Sequence, residues 1–183
     1  MGLKLHLVRH PRPSVEPGWC YGATDVPVSD DELLATSDAL AQAGLPGPLP
    51  VFASPLQRCA RLAERLQPAS LHLDARLAEM HFGRWEMRPW SDVPRAEVDA
   101  WAADLLCYRP GGGECVLDVA RRVAQFVADL RQQGLPEALV VCHAGTIRLL
   151  MAMRNGLSLE RAALAAASEP HHVGFNQVMV LTL

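Results

Sequence analysis

Five apolar residues in a row, ALVVC at 138–142, are followed at once by His143, Ala144 and Gly145. A short unbroken apolar run is what a strand buried on both faces of a parallel sheet looks like; a half-solvated strand would alternate. Parallel strands cannot be joined by a tight turn, so a crossover, usually a helix, must separate them. The run therefore asks for helices before and after it, and for other short strands to pair with.

The chain supplies both. Residues 3–9 (LKLHLVR) read as a first strand, ended by Arg9 and His10 and barred from further pairing by Pro11. Residues 29–44 open on Ser29-Asp30-Asp31-Glu32, a capping-box pattern, and stop at Gly44, which predicts a helix. After the loop LPGPLP (45–50), VFAS (51–54) reads as a buried strand. Ser54-Pro55-Leu56-Gln57 then predicts a helix start, with serine as N-cap and proline in the first turn, running to about Gln67. LHLDARL (71–77) reads as a third strand.

Val116, Ala120, Val123, Val127 and Leu130 recur at helical spacing over 115–133, before Gly134 and Pro136. Helices are expected near 145–155 and 158–168, and NQVMVLTL reads as a last strand. Between them, 79–113 is irregular, with Trp85, Trp90, Trp101 and one helix near 93–106. It reads as an excursion from the core. The alternation of strands and helices predicts an α/β fold with a mostly parallel central sheet covered on both sides, in one domain over 1–183.

Charge and cysteine content narrow the function. The net charge of −3 gives no basic face for nucleic acid. Cys20, Cys59, Cys107, Cys115 and Cys142 are odd in number and form no C-x-x-C pair, so neither a disulfide framework nor a zinc site is expected. The N-terminal MGLKLHLVRH is too short in apolar residues for a signal peptide, and no run reaches membrane-spanning length. The expectation is a soluble cytoplasmic protein with no nucleic-acid or membrane partner.

In open α/β sheets, ligands bind beyond the carboxyl ends of the strands. At those ends stand Arg9 and His10, then Arg58 near a helix start, then Glu79, then His143. The set has a chemical logic. Two guanidinium groups hold phosphate oxygens through charge-assisted, bidentate bonds. A helix N-terminus adds N–H donors. An imidazole among cations stays neutral and nucleophilic. A carboxyl group facing a phosphate dianion keeps its proton more readily, for delivery to a leaving group.

Taken singly, each residue has a plainer reading: a structural histidine, an arginine on a helix surface, a solvated acid. The joint pattern carries the case. PGGGE (110–114) lacks the flanks of a P-loop and reads as a flexible loop whose Glu114 favours the next helix start. Trp85 and Trp90 read as core or cap packing, His171-His172 as a surface turn, and Cys142 as a buried inert thiol.

Four ordered stretches, LVRH (7–10), ASPLQRC (53–59), RLAEMHFGRWE (76–86) and VVCHAGTIR (140–148), resemble the histidine phosphatase superfamily, the phosphoglycerate-mutase-like fold. CYGATDVPVS (20–29), FGRWE and PGGGE are most similar to the α-ribazole phosphatases within it, which remove the 5′-phosphate of α-ribazole phosphate in cobalamin assembly. The resemblance implies a three-layer α/β/α sandwich and a small-molecule phosphomonoester substrate. It implies His10 as the nucleophile that becomes phosphohistidine, and Arg9, Arg58 and His143 as ligands of the phosphoryl group. Glu79 would be the general acid and then the base, and Thr24 and Ala144 are candidate substrate contacts. No metal or organic cofactor is implied.

The chain departs from the family pattern R-H-G-x-T/S, reading Arg9-His10-Pro11-Arg12-Pro13. Glu16 stands where many members have Asn, and Ala144 where Gly is usual. Two alternatives accompany the phosphatase reading: a phosphate-ligand binding protein without turnover, motivated by the two prolines, and a phosphoglycerate mutase or broad sugar phosphatase.

Overall fold

The computed structural model describes residues 2–154, 156–168 and 173–183; His171 and His172 lie outside them. In chain order the elements are β1 (Lys4–Arg9), β2 (Trp19–Cys20), α1 (Asp30–Gln42), β3 (Pro50–Ala53), α2 (Gln57–Arg65), β4 (Ser70–Leu73), β5 (Arg88–Pro89), α3 (Arg95–Ala103), α4 (Val116–Gln132), β6 (Glu137–Cys142), α5 (Ala144–Met153), α6 (Leu159–Ser168) and β7 (Val178–Thr182). The main sheet has the order β4-β3-β6-β1-β7. All neighbours in it are parallel except β7, which runs antiparallel on the edge beside β1.

The apolar run behaves as its composition demands. Within β6, Ala138, Val140 and Cys142 enter one core with α4, α5 and α6, whereas Leu139 and Val141 enter a second core with α1 and α2. Successive side chains of a strand point to opposite faces, so a strand buried on both must be apolar throughout. β1 and β3 divide likewise: Leu5, Leu7 and Phe52 lie on the first face, Val8, Val51 and Ala53 on the second. The layers are therefore helix, sheet, helix.

Helix starts follow their caps where the caps are free to act. Ser29 Oγ accepts from Glu32 N at 3.2 Å and opens α1, as its sequence predicts. Ser54 does not open α2. That helix starts at Gln57 with Leu56 as its N-cap, while Ser54 Oγ meets His143 Nε2 at 2.8 Å and accepts from Leu56 N at 3.4 Å, short of the helix. The strand expected over 71–77 is shorter: Asp74 Oδ1 accepts from Arg76 N at 2.9 Å and turns the chain into one turn of 3₁₀ helix, Ala75–Leu77. Glu114 does not cap α4 either. It bridges His81 N and Arg122, while Cys115 and Asp118 form the cap.

The 79–113 excursion folds back over the carboxyl edge of the sheet. Its β5 pairs with β2 (Trp19↔Pro89, Cys20↔Arg88), so it is tied to the segment that leaves β1. Trp85 is fully buried inside it. PGGGE is not an open loop. Gly111 has φ +59°, and a Cβ there would stand 2.2 Å from the Phe82 carbonyl oxygen. Two backbone strands touch at this point, which only glycine permits.

Gly111→Ala is expected to lower stability by roughly 2–4 kcal/mol, through both strained φ and overpacking. Urea unfolding followed by tryptophan fluorescence measures it, and a loss below about 0.5 kcal/mol would mean the contact relaxes freely.

Candidate active site

Three strand tips meet at one level. The β1–β6 register pairs Val8 with Val141 and Arg9 with Cys142, and Ala53 of β3 also pairs with Val141. His10 N donates to Cys142 O and Ser54 N to Val141 O, both at 3.0 Å. Beyond β1 the chain goes to α1 on one face, and beyond β6 to α5 on the other. Connections that leave neighbouring strands for opposite faces open a crevice between them, where ligands of α/β sheets bind.

His10 is 3% exposed, and its Nδ1 lies 2.7 Å from the Pro11 carbonyl oxygen. A carbonyl only accepts, so Nδ1 carries the hydrogen and, in the neutral ring, Nε2 carries a lone pair. The ring is kept neutral: burial pushes it down to about 3, Arg58 and then Arg9 add to the effect, and the Pro11 carbonyl partly opposes it. The proline that departs from the family pattern thus keeps the one backbone group this arrangement uses.

Arg9 and Arg58 flank the ring. Arg9 donates from Nη1 to Val173 O at 2.6 Å and packs over the Phe175 ring, 3.9 Å from its centroid. Arg58, in the first turn of α2, is fully buried and donates to two carbonyls, Gly22 O at 2.6 Å and Thr24 O at 2.9 Å. Neither arginine is matched to a carboxylate within salt-bridge distance among the described residues. His143 lies one layer deeper, with its ring centroid 5.0 Å from that of His10 and its Nε2 on Ser54 Oγ. The Nε atoms of Arg9 and Arg58 and the Nδ1 of His143 are buried and have no hydrogen-bond partner among the described residues. Such orphans are costly, and those of Arg9 and Arg58 belong to residues that line one cavity and suit an anion, whereas His143 packs behind His10 and is not in the cavity wall.

Glu79 reaches the same place through the N-terminus of α5. Its Oε2 accepts from Gly145 N at 3.1 Å and its Oε1 from Met80 N at 3.0 Å. A Cβ at Gly145 would lie 2.4 Å from Glu79 Oε1, so glycine is what lets the carboxylate approach the helix end. Arg9, His10, Arg58, Glu79 and Ala144 all line one cavity of about 400 Å³. Thr24 does not line it. The Thr24 hydroxyl donates to Glu86, so the predicted substrate contact becomes a support behind Arg58. Glu16 is exposed and away from the cavity wall.

The remaining wall comes from residues that sequence reasoning passed over. Tyr21 lines the cavity beside Arg9, and Arg148 lines it one helical turn after Ala144, a spacing that is itself the signal. Trp19, Phe82, Trp90 and Trp101 form an aromatic side. Trp90, expected to pack in the core or as a cap, is 39% exposed, stacks with Trp101 and lines the cavity. Cys142 is buried and its thiol is held well above the usual range by burial first. Among the described residues no group of three His, Cys, Asp or Glu could hold a metal ion, and no helix is long and apolar enough to cross a membrane.

Burial also holds His143 neutral, with His10 and Arg58 adding to it. The unfolded chain takes up protons at these positions near the ordinary 6.5, whereas folded His10 does so only near 3. Stability is thus intact above pH 6.5 and falls as pH drops below it. Each neutral histidine contributes on the order of 1 kcal/mol per pH unit to that slope. Melting temperatures should fall from pH 7 to pH 5 for the wild type and fall less steeply in His10→Gln, where His143 alone of the two remains; equal slopes would contradict the assignment.

Comparison with known proteins agrees with this geometry. The profile of the histidine phosphatase superfamily (branch 1) matches residues 5–172. The adenosylcobalamin/α-ribazole phosphatase of Escherichia coli is 33% identical over 108 residues, 57% of this chain and 53% of that protein, so the match spans about half of the relative. The glucosyl-3-phosphoglycerate phosphatase of Mycolicibacterium vanbaalenii is 29% identical over 86% of this chain and 76% of its own. The crystal structure of the α-ribazole phosphatase from Shigella flexneri superposes with a TM-score of 0.79 at 26% identity, covering 97% of this chain and 89% of that one. The chain belongs to the histidine phosphatase superfamily.

Proposed function

We propose that this protein is a phosphomonoester hydrolase in which Nε2 of His10 is the nucleophile. One observation carries the reading: a neutral imidazole with its lone pair on Nε2 sits in a cavity wall beside two arginines that no carboxylate among the described residues pairs. The substrate's phosphoryl group takes the donors of Arg9 and Arg58, and His143, packed against the His10 ring, backs the nucleophile.

The Nε2 lone pair forms a bond to phosphorus while the ester P–O bond breaks. The departing alkoxide takes the proton of the Glu79 carboxyl group. Glu79, now a carboxylate, removes a proton from water. That water's oxygen bonds to phosphorus, the P–N bond breaks, and the electron pair returns to Nε2. His10 and Glu79 end as they began, and inorganic phosphate leaves.

For the substrate we infer α-ribazole 5′-phosphate. Its flat benzimidazole suits the aromatic side made by Trp19, Phe82, Trp90 and Trp101, and its phosphatases are among the similar proteins. A sugar phosphate is the second reading, favoured by the longer alignment with the glucosyl-3-phosphoglycerate phosphatase. The reading places the work in the cytoplasm, with no nucleic-acid or membrane partner.

His10→Ala should abolish phosphate release, by roughly 10⁴-fold or more, from p-nitrophenyl phosphate; unchanged release ends the mechanism. On a panel of α-ribazole phosphate, glucosyl-3-phosphoglycerate and 3-phosphoglycerate, kcat/KM should be highest for the first. Isomerised phosphoglycerate without net phosphate release would instead mark a mutase, and binding without turnover a receptor. Gly145→Ala should push Glu79 from its place and lower kcat about 10- to 100-fold with KM little changed, read from steady-state kinetics on the best substrate.

A further inference from the structure

Among the described residues, the hydrogen bonds that orient Arg58 go to backbone carbonyls, and those carbonyls belong to a short loop that is itself pinned from outside. Arg58 Nη2 donates to Gly22 O at 2.6 Å and Nη1 to Thr24 O at 2.9 Å. The 22–24 loop has no regular secondary structure of its own. What fixes it is the carboxylate of Glu86, in the excursion. Glu86 Oε1 accepts from Ala23 N at 3.0 Å and from Phe82 N at 2.9 Å. Its Oε2 accepts from Thr24 N at 2.6 Å and from the Thr24 hydroxyl.

From this juxtaposition we infer that Glu86 is a positioning residue for the phosphate site, setting the orientation of Arg58 through the 22–24 loop. The inference rests on the proposed anion site. Its physical sense lies in charge. A carboxylate bonded straight to Arg58 would hold the guanidinium still but would neutralise it and occupy its fork. Here the negative charge is absorbed by four uncharged donors, three of them backbone N–H groups. The carbonyls they immobilise grip the guanidinium without cancelling its charge, so Arg58 stays oriented and still attractive to an anion. Burial alone would raise the Glu86 carboxyl, yet bonds from Thr24, Phe82 and Ala23 carry it below its ordinary range, so it is held ionised.

The test is calorimetric titration of the full chain with inorganic phosphate at fixed salt, for wild type, Glu86→Gln, Arg58→Lys and the double variant. Glu86→Gln keeps the volume but turns one acceptor into a donor facing N–H groups. We expect it to weaken phosphate binding about tenfold in the wild-type background and less than about twofold in the Arg58→Lys background. Glu97→Gln, which loosens the same excursion at Trp85 Nε1 and Arg84, should leave phosphate affinity within about twofold. Should Glu86→Gln lose its folded circular dichroism, Thr24→Val removes one bond to Glu86 and should weaken phosphate two- to threefold, again only when Arg58 is present. Equal losses in both backgrounds, or unchanged affinity in Glu86→Gln, overturn the assignment. Wild-type binding reports on the anion site itself, so additive losses with wild-type binding intact overturn the role of Glu86 alone.

Discussion

The Nδ1–H of His10 donates to the Pro11 carbonyl oxygen at 2.7 Å, one residue past the tip of β1. That bond decides which ring nitrogen is bare. It requires a chain that stops being a strand at His10, turns its next carbonyl inward and cannot be recruited back into the sheet. Proline meets all three demands: its fixed φ and missing N–H end the ladder, and its carbonyl remains. The rest of the site follows from having such a ring in a dry place. A buried neutral imidazole needs no counter-ion, so nearby cations can be left unpaired for a ligand.

The surrounding architecture serves that economy of charge. Arg58 is gripped by carbonyls, Arg9 by a carbonyl and the face of Phe175, and Glu79 by two backbone N–H groups. Each charged group is oriented by a neutral partner. The sheet contributes by register: Arg9 pairs with Cys142 across the β1–β6 seam, so His10 and His143 emerge side by side. The excursion contributes both the aromatic side of the cavity and, through Glu86, the loop behind Arg58.

Much of this was legible in the residues, and the boundary has a physical cause. ALVVC announces a doubly buried strand because burial on both faces leaves no room for alternation, and β6 spans Glu137–Cys142. Arg9, His10, Arg58 and Glu79 could be gathered onto one edge because strand ends of an α/β sheet are predictable places; the cavity wall holds all four. Ser54 and Thr24 were misplaced for a shared reason. A hydroxyl has several partners within local reach, and tertiary contacts with His143 and Glu86, 89 and 62 residues away, compete with the local ones. Trp90 and Trp101 were missed because the excursion has no periodicity, so nothing in the sequence says which face of it meets the sheet, whereas Arg148 follows Ala144 at helical spacing and could have been found.

The protonation of the His10 ring is the point on which the account stands, and ¹⁵N NMR of histidine-labelled protein reads it directly. The account predicts a neutral ring with the hydrogen on Nδ1 and an unprotonated Nε2, unchanged from pH 8 down to pH 5. A His10 ring that becomes charged near the ordinary 6.5, or that carries its hydrogen on Nε2, would contradict it.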